Sequence, residues 1–207
     1  MIKLYVSGFA GNLGTKVLID KKQDDLIRQF NQEFITHLNN QIEKSLSKDG
    51  FNPSLIMPSC EPHIVDCENI GKGGVLASLW KLCERNKWGL KYSLRRIPIL
   101  QGTVEIANYF DINPYRLLTK NSFIVAIKDE QNDSNDKLIV AGTGELCESQ
   151  SCMGELCEPQ LTYIGDITNE RKRIRIDGEV EAFLTKDYKD EIDKVIPNYI
   201  KNAKNIF

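Results

Sequence analysis

Apolar residues recur every three or four positions between Leu13 and Leu46. Leu18, Ile19, Leu26, Ile27, Phe30, Phe34, Ile35, Leu38, Ile42 and Leu46 mark this spacing, which predicts helix. The segment before it, "IKLYVSGFAG", reads as a strand and a glycine-rich turn, so the first helix is expected to start near Thr15. Gly50, Pro53 and Pro58 break the pattern. The next stretch, "SLIMPSCEPHIVDCEN", reads as strand and loop. A second helical stripe then starts near Gly74 and ends near Gly89. Val75, Leu76, Leu79, Trp80, Leu82 and Cys83 carry it, and Leu76, Leu79 and Cys83 are expected to lie against a sheet. "LKYSLRRIPIL" reads as a strand entering a turn, and "GTVEIANYF" as a short helix stopped by "DINPYRLL". "SFIVAIK" and "LTYIGDI" read as strands, and the tail "YKDEIDKVIPNYIKNAKNIF" as a mildly amphipathic helix.

Between the last strand and the tail, "RKRIRIDGEVEAFL" reads as a hairpin turning at Asp177-Gly178. A three-residue loop of Ile176, Asp177 and Gly178 puts glycine at the left-handed position. Arg175 then faces Glu179, Arg173 faces Glu181 and Ile174 faces Val180. On this register the run "RKRIR" is a solvated strand face with local acidic partners rather than a nucleic-acid patch. Strands alternating with helices and ending in a hairpin give an α/β (α+β) fold. We expect one domain over residues 1–207, a mixed sheet of about four to six strands packed by helices, and a C-terminal hairpin and helix.

Composition narrows the function classes. The 207 residues are 41% hydrophobic and 27% charged, an ordinary globular balance that allows a proper core. A net charge of -2 lacks the basic surplus of a dedicated nucleic-acid binder. No apolar run approaches the roughly 18 residues that span a bilayer, and the N-terminus does not read as a signal peptide. The expected location is cytoplasmic, with no nucleic-acid or membrane partner. Six cysteines in such a compartment suggest free thiols, metal ligands or redox groups rather than a disulfide framework.

Three groups of residues could carry chemistry. Gly71, Lys72, Gly73 and Gly74 form a glycine-rich helix start. It could offer backbone N–H groups and a helix dipole to a phosphate or nucleotide, with Lys72 adding a point charge. The same glycines equally suit a tight strand-to-helix turn, and the spacing is not that of a Walker loop. Cys147, Cys152 and Cys157 lie five residues apart in a segment, 144–158, that repeats Gly-Glu-Leu-Cys-Glu. They could hold zinc or iron only by converging in a loop, because the spacing suits neither one helix face nor a zinc knuckle. A surface loop with free thiols is the alternative. Cys60, His63, Asp66 and Cys67 have ligand-like side chains just before the glycine turn, or else form an ordinary core thiol and a hydrogen-bonded histidine. His37 falls within a helical stripe.

The order of "GGVLASLWKLCER", the "IPI" turn at Ile97–Ile99, "NPYRLL" from Asn113 and "YIGDIT" from Tyr163 resembles the C-terminal domain of the aminoimidazole-ribonucleotide-synthetase-like (PurM-like) superfamily. The nearest branch is that of hydrogenase maturation, the HypE branch. "GNLGTK" resembles the start of that domain and "DEIDKVI" its end, so the resemblance covers nearly the whole chain and makes 144–158 a Cys-rich loop extension. Enzymes of this superfamily hold Mg-ATP with acidic residues of an N-terminal domain that this sequence lacks. Their pattern before the glycine pair, His-Asp-x-Thr-x-Gly-Gly, reads here Glu68-Asn69-Ile70-Gly71-Lys72, with an amide in place of the acid. The resemblance therefore implies a non-catalytic binding or accessory component, with a role in metalloenzyme maturation. The alternatives are one half of an ATP-dependent synthetase completed by a separate ATP-binding subunit, and a metal- or sulfur-handling protein using the cysteine-rich loop. The surface that meets the N-terminal domain in the enzymes would be left apolar, which implies a homodimer or that separate subunit as partner.

Overall fold

The computed structural model describes residues 1–47, 63–128, 161–186 and 189–202. Seven strands form one sheet: β1 (Ile2–Ser7), β2 (Ile64–Asn69), β3 (Gly89–Tyr92), β4 (Phe123–Lys128), β5 (Thr162–Thr168), β6 (Arg173–Asp177) and β7 (Val180–Phe183). Their order is β2-β4-β1-β5-β3-β6-β7. Every neighbouring pair is antiparallel except β3–β6. The mixed α+β sheet is as expected. The strand count exceeds the expected four to six because the terminal hairpin does not stand apart. It docks parallel on β3 and extends the same sheet.

The helices are α1 (Asn12–Lys21), α2 (Gln23–Gln29), α3 (Gln32–Leu46), α4 (Gly74–Arg85), α5 (Gln101–Tyr109), α6 (Ile192–Val195) and α7 (Tyr199–Asn202). The helical pattern from Leu13 to Leu46 is three helices. The last break comes where the Asn31 side chain accepts the Phe34 N–H at 2.6 Å and caps α3. α1 starts at Asn12, three residues before the expected Thr15. The tail helix is split into α6 and α7 around Pro197, which has no N–H to continue a helical ladder.

The central strands are buried on both faces, which is why "FIVAI" in β4 is apolar at successive positions. On one face Leu4, Val6, Ile124, Ala126, Ile164, Leu90 and Tyr92 pack against Val75, Leu79, Leu82 and Cys83 of α4. On the other, Tyr5, Val125, Ile127 and Leu161 cluster with Phe123 and Tyr163. Leu79 and Cys83 bury as expected, while Leu76 and Trp80 are half-buried. A second core joins α1, α3 and α5 through Leu18, Leu38, Ile42 and Ile106, and takes Ile192 from the C-terminal segment. Among the described residues no helix is long and apolar enough to cross a membrane.

The hairpin register differs from the sequence expectation. Asp177 pairs with Val180, Ile176 with Glu181, Arg175 with Ala182 and Ile174 with Phe183. The loop is therefore the two residues Gly178 and Glu179, with Gly178 at φ 66° in its first position, where two-residue hairpin turns call for glycine. The arginines find partners elsewhere. Arg173 lies with its guanidinium 4.1 Å from the Trp80 ring centre and 2.7 Å from the Glu84 carboxylate, both on α4. Arg175 pairs with Asp177 at 3.3 Å along its own strand. A desolvated arginine on an indole face gains about 1–2 kcal/mol, a sizeable pull toward α4 when an exposed cross-strand ion pair offers less than about 1 kcal/mol.

Candidate functional site

The glycine turn joins β2 to α4. Its first residue, Ile70, is buried and donates its N–H to the Ser122 carbonyl. The Gly71 carbonyl accepts both the Gly74 N–H, at 3.1 Å, and the Thr119 N–H, at 3.3 Å. Gly73 caps α4 with φ 74°, and Gly74 follows at φ 64°. The Gly73 N–H donates to the Asp190 carboxylate at 2.8 Å. The other Asp190 oxygen accepts the N–H groups of Leu118, at 3.3 Å, and Ile192, at 3.1 Å. An internal carboxylate thus sits at the start of α4. Asp190 is only 6% exposed. Burial pushes its carboxyl up to about 6, against the opposing pull of the three backbone N–H groups.

A matching arrangement starts α1. Gly11, at φ 72°, precedes Asn12 and donates its N–H to the Thr119 hydroxyl at 2.8 Å. The Gly14 N–H donates to the Leu118 carbonyl at 2.7 Å. The buried Asn12 amide accepts from the Lys120 N–H and donates to the Lys120 carbonyl. Residues 117–120 therefore lie between two helix starts, α1 and α4, each entered through a left-handed glycine. Just upstream, α5 ends at Tyr109 and the chain turns through Asp111 at φ 52°, after which Asn113 caps a short 3-10 turn over Pro114–Arg116.

The candidate residues separate as follows. Gly71, Gly73 and Gly74 lie together in the turn with Lys72 exposed, and the N–H groups of Gly73 and Gly74 are engaged within the protein. Asn69, at the position of the expected acid, is exposed on the end of β2, and its carbonyl accepts from Ser78. Asp66 is gripped by Arg85, by the Asn86 amide and by the Cys67 N–H. Burial alone would raise its carboxyl, but the hydrogen bonds from Asn86 and Arg85 outweigh that and hold it below the usual range. Glu68 shares Arg85 at 2.7 Å, so this cluster fastens the end of α4 to the edge strand β2. Burial pushes the Cys67 and Cys83 thiols up to about 11, which leaves neither a nucleophile near neutral pH. His63 is half-buried and His37 exposed on α3. Cys60, Cys147, Cys152 and Cys157 lie outside the described residues. Among those that are described, no three of His, Cys, Asp or Glu gather in a way that could hold a metal ion.

Asp190 is the residue that sequence reading missed. Its one local signal was an Asp two residues before a helical run in "DEIDKVI", which suits a cap. Nothing local could link it to Gly73, 117 positions away.

No family model matches the sequence and no curated protein matches it. Solved structures do match. Escherichia coli HypE aligns with a TM-score of 0.60 at 13% identity, covering 94% of this chain and 52% of its own. HypE in a HypE–HypF complex aligns at 0.59 and 13% identity, covering 90% and 53%. The hydrogenase maturation protein HypE in complex with ATP aligns at 0.58 and 13% identity, covering 92% and 52%. The chain spans about half the length of these structures. Its seven-stranded mixed sheet, with helices packed on it, has the PurM-like fold of the hydrogenase maturation protein HypE.

Proposed function

We propose that this chain is a binding domain that serves as an accessory component of a larger assembly, without phosphoryl-transfer activity of its own. The observation that carries this reading is the Asp190 carboxylate on the Gly73 N–H. A phosphate seated on this turn would have to displace an anion that the protein itself supplies. The turn also lacks a carboxylate at Asn69, and phosphoryl transfer depends on metal-held charge neutralisation. Rigorously purified chain is therefore expected to show no magnesium-dependent ATP hydrolysis above background. Turnover that follows the chain through purification and disappears in Gly74→Val would overturn this reading.

The role we propose includes a protein partner. One HypE has been solved in complex with HypF and another with ATP, which makes metalloenzyme maturation the first setting to test. Val180 and Phe183 are exposed on the outer strand β7, and an open apolar edge is a template for another strand. We expect self-association into a dimer. Sedimentation velocity at tens of micromolar, on the order of a weak complex's dissociation constant, is expected to show a dimer, and a monodisperse monomer would refute it. A second reading, half of an ATP-dependent synthetase, is favoured by the chain spanning about half of the HypE structures. Mass spectrometry of what copurifies from the native cell separates the two, since only the second requires a separate ATP-binding subunit.

A further inference from the structure

Residues 189–202 carry α6 and α7 across the second core, where Ile192 is fully buried and Val195, Ile196, Tyr199 and Ile200 pack partly buried. Most of the hydrogen bonds seen in this segment are internal. The Ile196 N–H donates to the Ile192 carbonyl, the Tyr199 N–H to the Ile196 carbonyl, and the Ile200 N–H to the Asp193 carboxylate. The bonds that join it to the glycine turn and to residues 113–118 come from two adjacent acids. Asp190 takes the N–H groups of Gly73 and Leu118. Glu191 donates its N–H to the Arg116 carbonyl at 3.3 Å, and its carboxylate accepts the Asn113 N–H at 3.5 Å. Glu191 is paired with Lys194 at 2.5 Å. Asp190 accepts the backbone N–H groups of Gly73, Leu118 and Ile192.

We infer that Asp190 is a latch: its carboxyl fastens residues 189–202 to the start of α4, and gain or loss of its proton sets how firmly that segment is docked. The charged side chains on the elements around it are Lys72 on the glycine turn, Arg116 and Lys120 on the 113–120 segment, and Lys189, Glu191, Asp193, Lys194 and Lys201 on its own. Burial is the main influence on the carboxyl, and the nearby Asp193 charge adds to it, so the docked group keeps its proton up to about pH 6. Released into water, it would lose that proton near the ordinary carboxylate value of 3.8. Between those two values the docked state binds more protons than the released state. Docking is therefore firmest below the lower value and weakens as pH rises through the upper one. The latch shares the Asp190–Gly73 contact with the proposed function, but hydrogen exchange tests the latch and ATP hydrolysis tests the function, so the failure of one is distinguishable from the failure of the other.

Amide hydrogen exchange on the full chain tests this. Protection over residues 192–200, corrected for intrinsic exchange, is expected to fall on the order of 20-fold between pH 4.5 and 7.5. Asp190→Asn should keep a polar side chain without a titrating group and flatten the dependence to within about twofold. Glu191→Gln should retain the wild-type slope. A wild-type slope near zero, or an equally steep slope in Asp190→Asn, would overturn the latch. Should Asp190→Asn fail to fold, carbon-13 titration of the wild-type Asp190 carboxyl decides. An inflection near 6 supports the latch, and one below 4 sinks it.

Discussion

Gly165→Val is expected to cost about 3 kcal/mol or more, at or above the upper end for overpacking a well-filled interior. Gly165 lies in β5 beside a bulge, where Leu4 pairs with Gly165 but Tyr5 pairs with Tyr163. On its other side Gly165 pairs with Tyr92 of β3. A Cβ at Gly165 would sit 2.1 Å from the Lys91 carbonyl oxygen and 2.6 Å from the Tyr92 Cα. Those atoms are backbone in paired strands and cannot swing aside as a side-chain tip can. Because the first carbon already collides, Gly165→Ala should be nearly as damaging as valine. For a domain of this length each kcal/mol moves the melting midpoint by about 2–4 °C, so a loss of about 6–12 °C is expected in a thermal scan. Gly71→Ala is the control, since a Cβ there meets nothing within 4 Å and should shift the midpoint by no more than about 2 °C. Equal shifts for the two alanine variants would show that the close approach of β3 and β5 is wrong.

Gly74→Ala is expected to cost about 2–5 kcal/mol through two separate terms. The residue sits at φ 64°, where an L side chain is strained by about 1–2 kcal/mol. A Cβ there would also lie 2.4 Å from the Tyr115 carbonyl oxygen and 2.8 Å from that of Leu117, which adds about 1–3 kcal/mol of overpacking. The damage should reach beyond the helix start, because α4 supplies Val75, Leu79, Leu82 and Cys83 to the main core. Chemical denaturation followed by tryptophan fluorescence reads this directly, since Trp80 lies on α4 and Trp88 close behind it. A variant as stable as the parent would mean that α4 does not start against residues 115–117.

Features set by neighbours along the chain were legible in the sequence. The stripe of Leu79, Leu82 and Cys83, the glycine turn ahead of it and the buried strand "FIVAI" follow from spacing and residue type alone. The misread features depend on residues far away. The expected hairpin register places Gly178 last in a three-residue loop and pairs the arginines with acids across the hairpin, but the loop has two residues and Arg173 is held by Trp80 and Glu84 on α4. The helix start is expected near Thr15, after the glycine-rich turn, but it comes at Asn12. Asn12 is in fact buried, and its amide is satisfied by the backbone of Lys120. The glycine turn was recognised, yet the carboxylate that meets it comes from the far end of the chain.

The strand order has a consequence for how the protein is made. β1 is a central strand, yet both of its partners come late. Leu4 pairs with Ala126 on one side and Gly165 on the other. At a synthesis rate of about 5–20 residues per second, the ribosome needs on the order of ten to thirty seconds to deliver both. Until β4 is made Leu4, Tyr5 and Val6 have no strand to pair with, and until β5 is made they are paired on one side only. β1 therefore keeps one open side until β5 is made, and β3, whose partners are β5 and β6, waits with it.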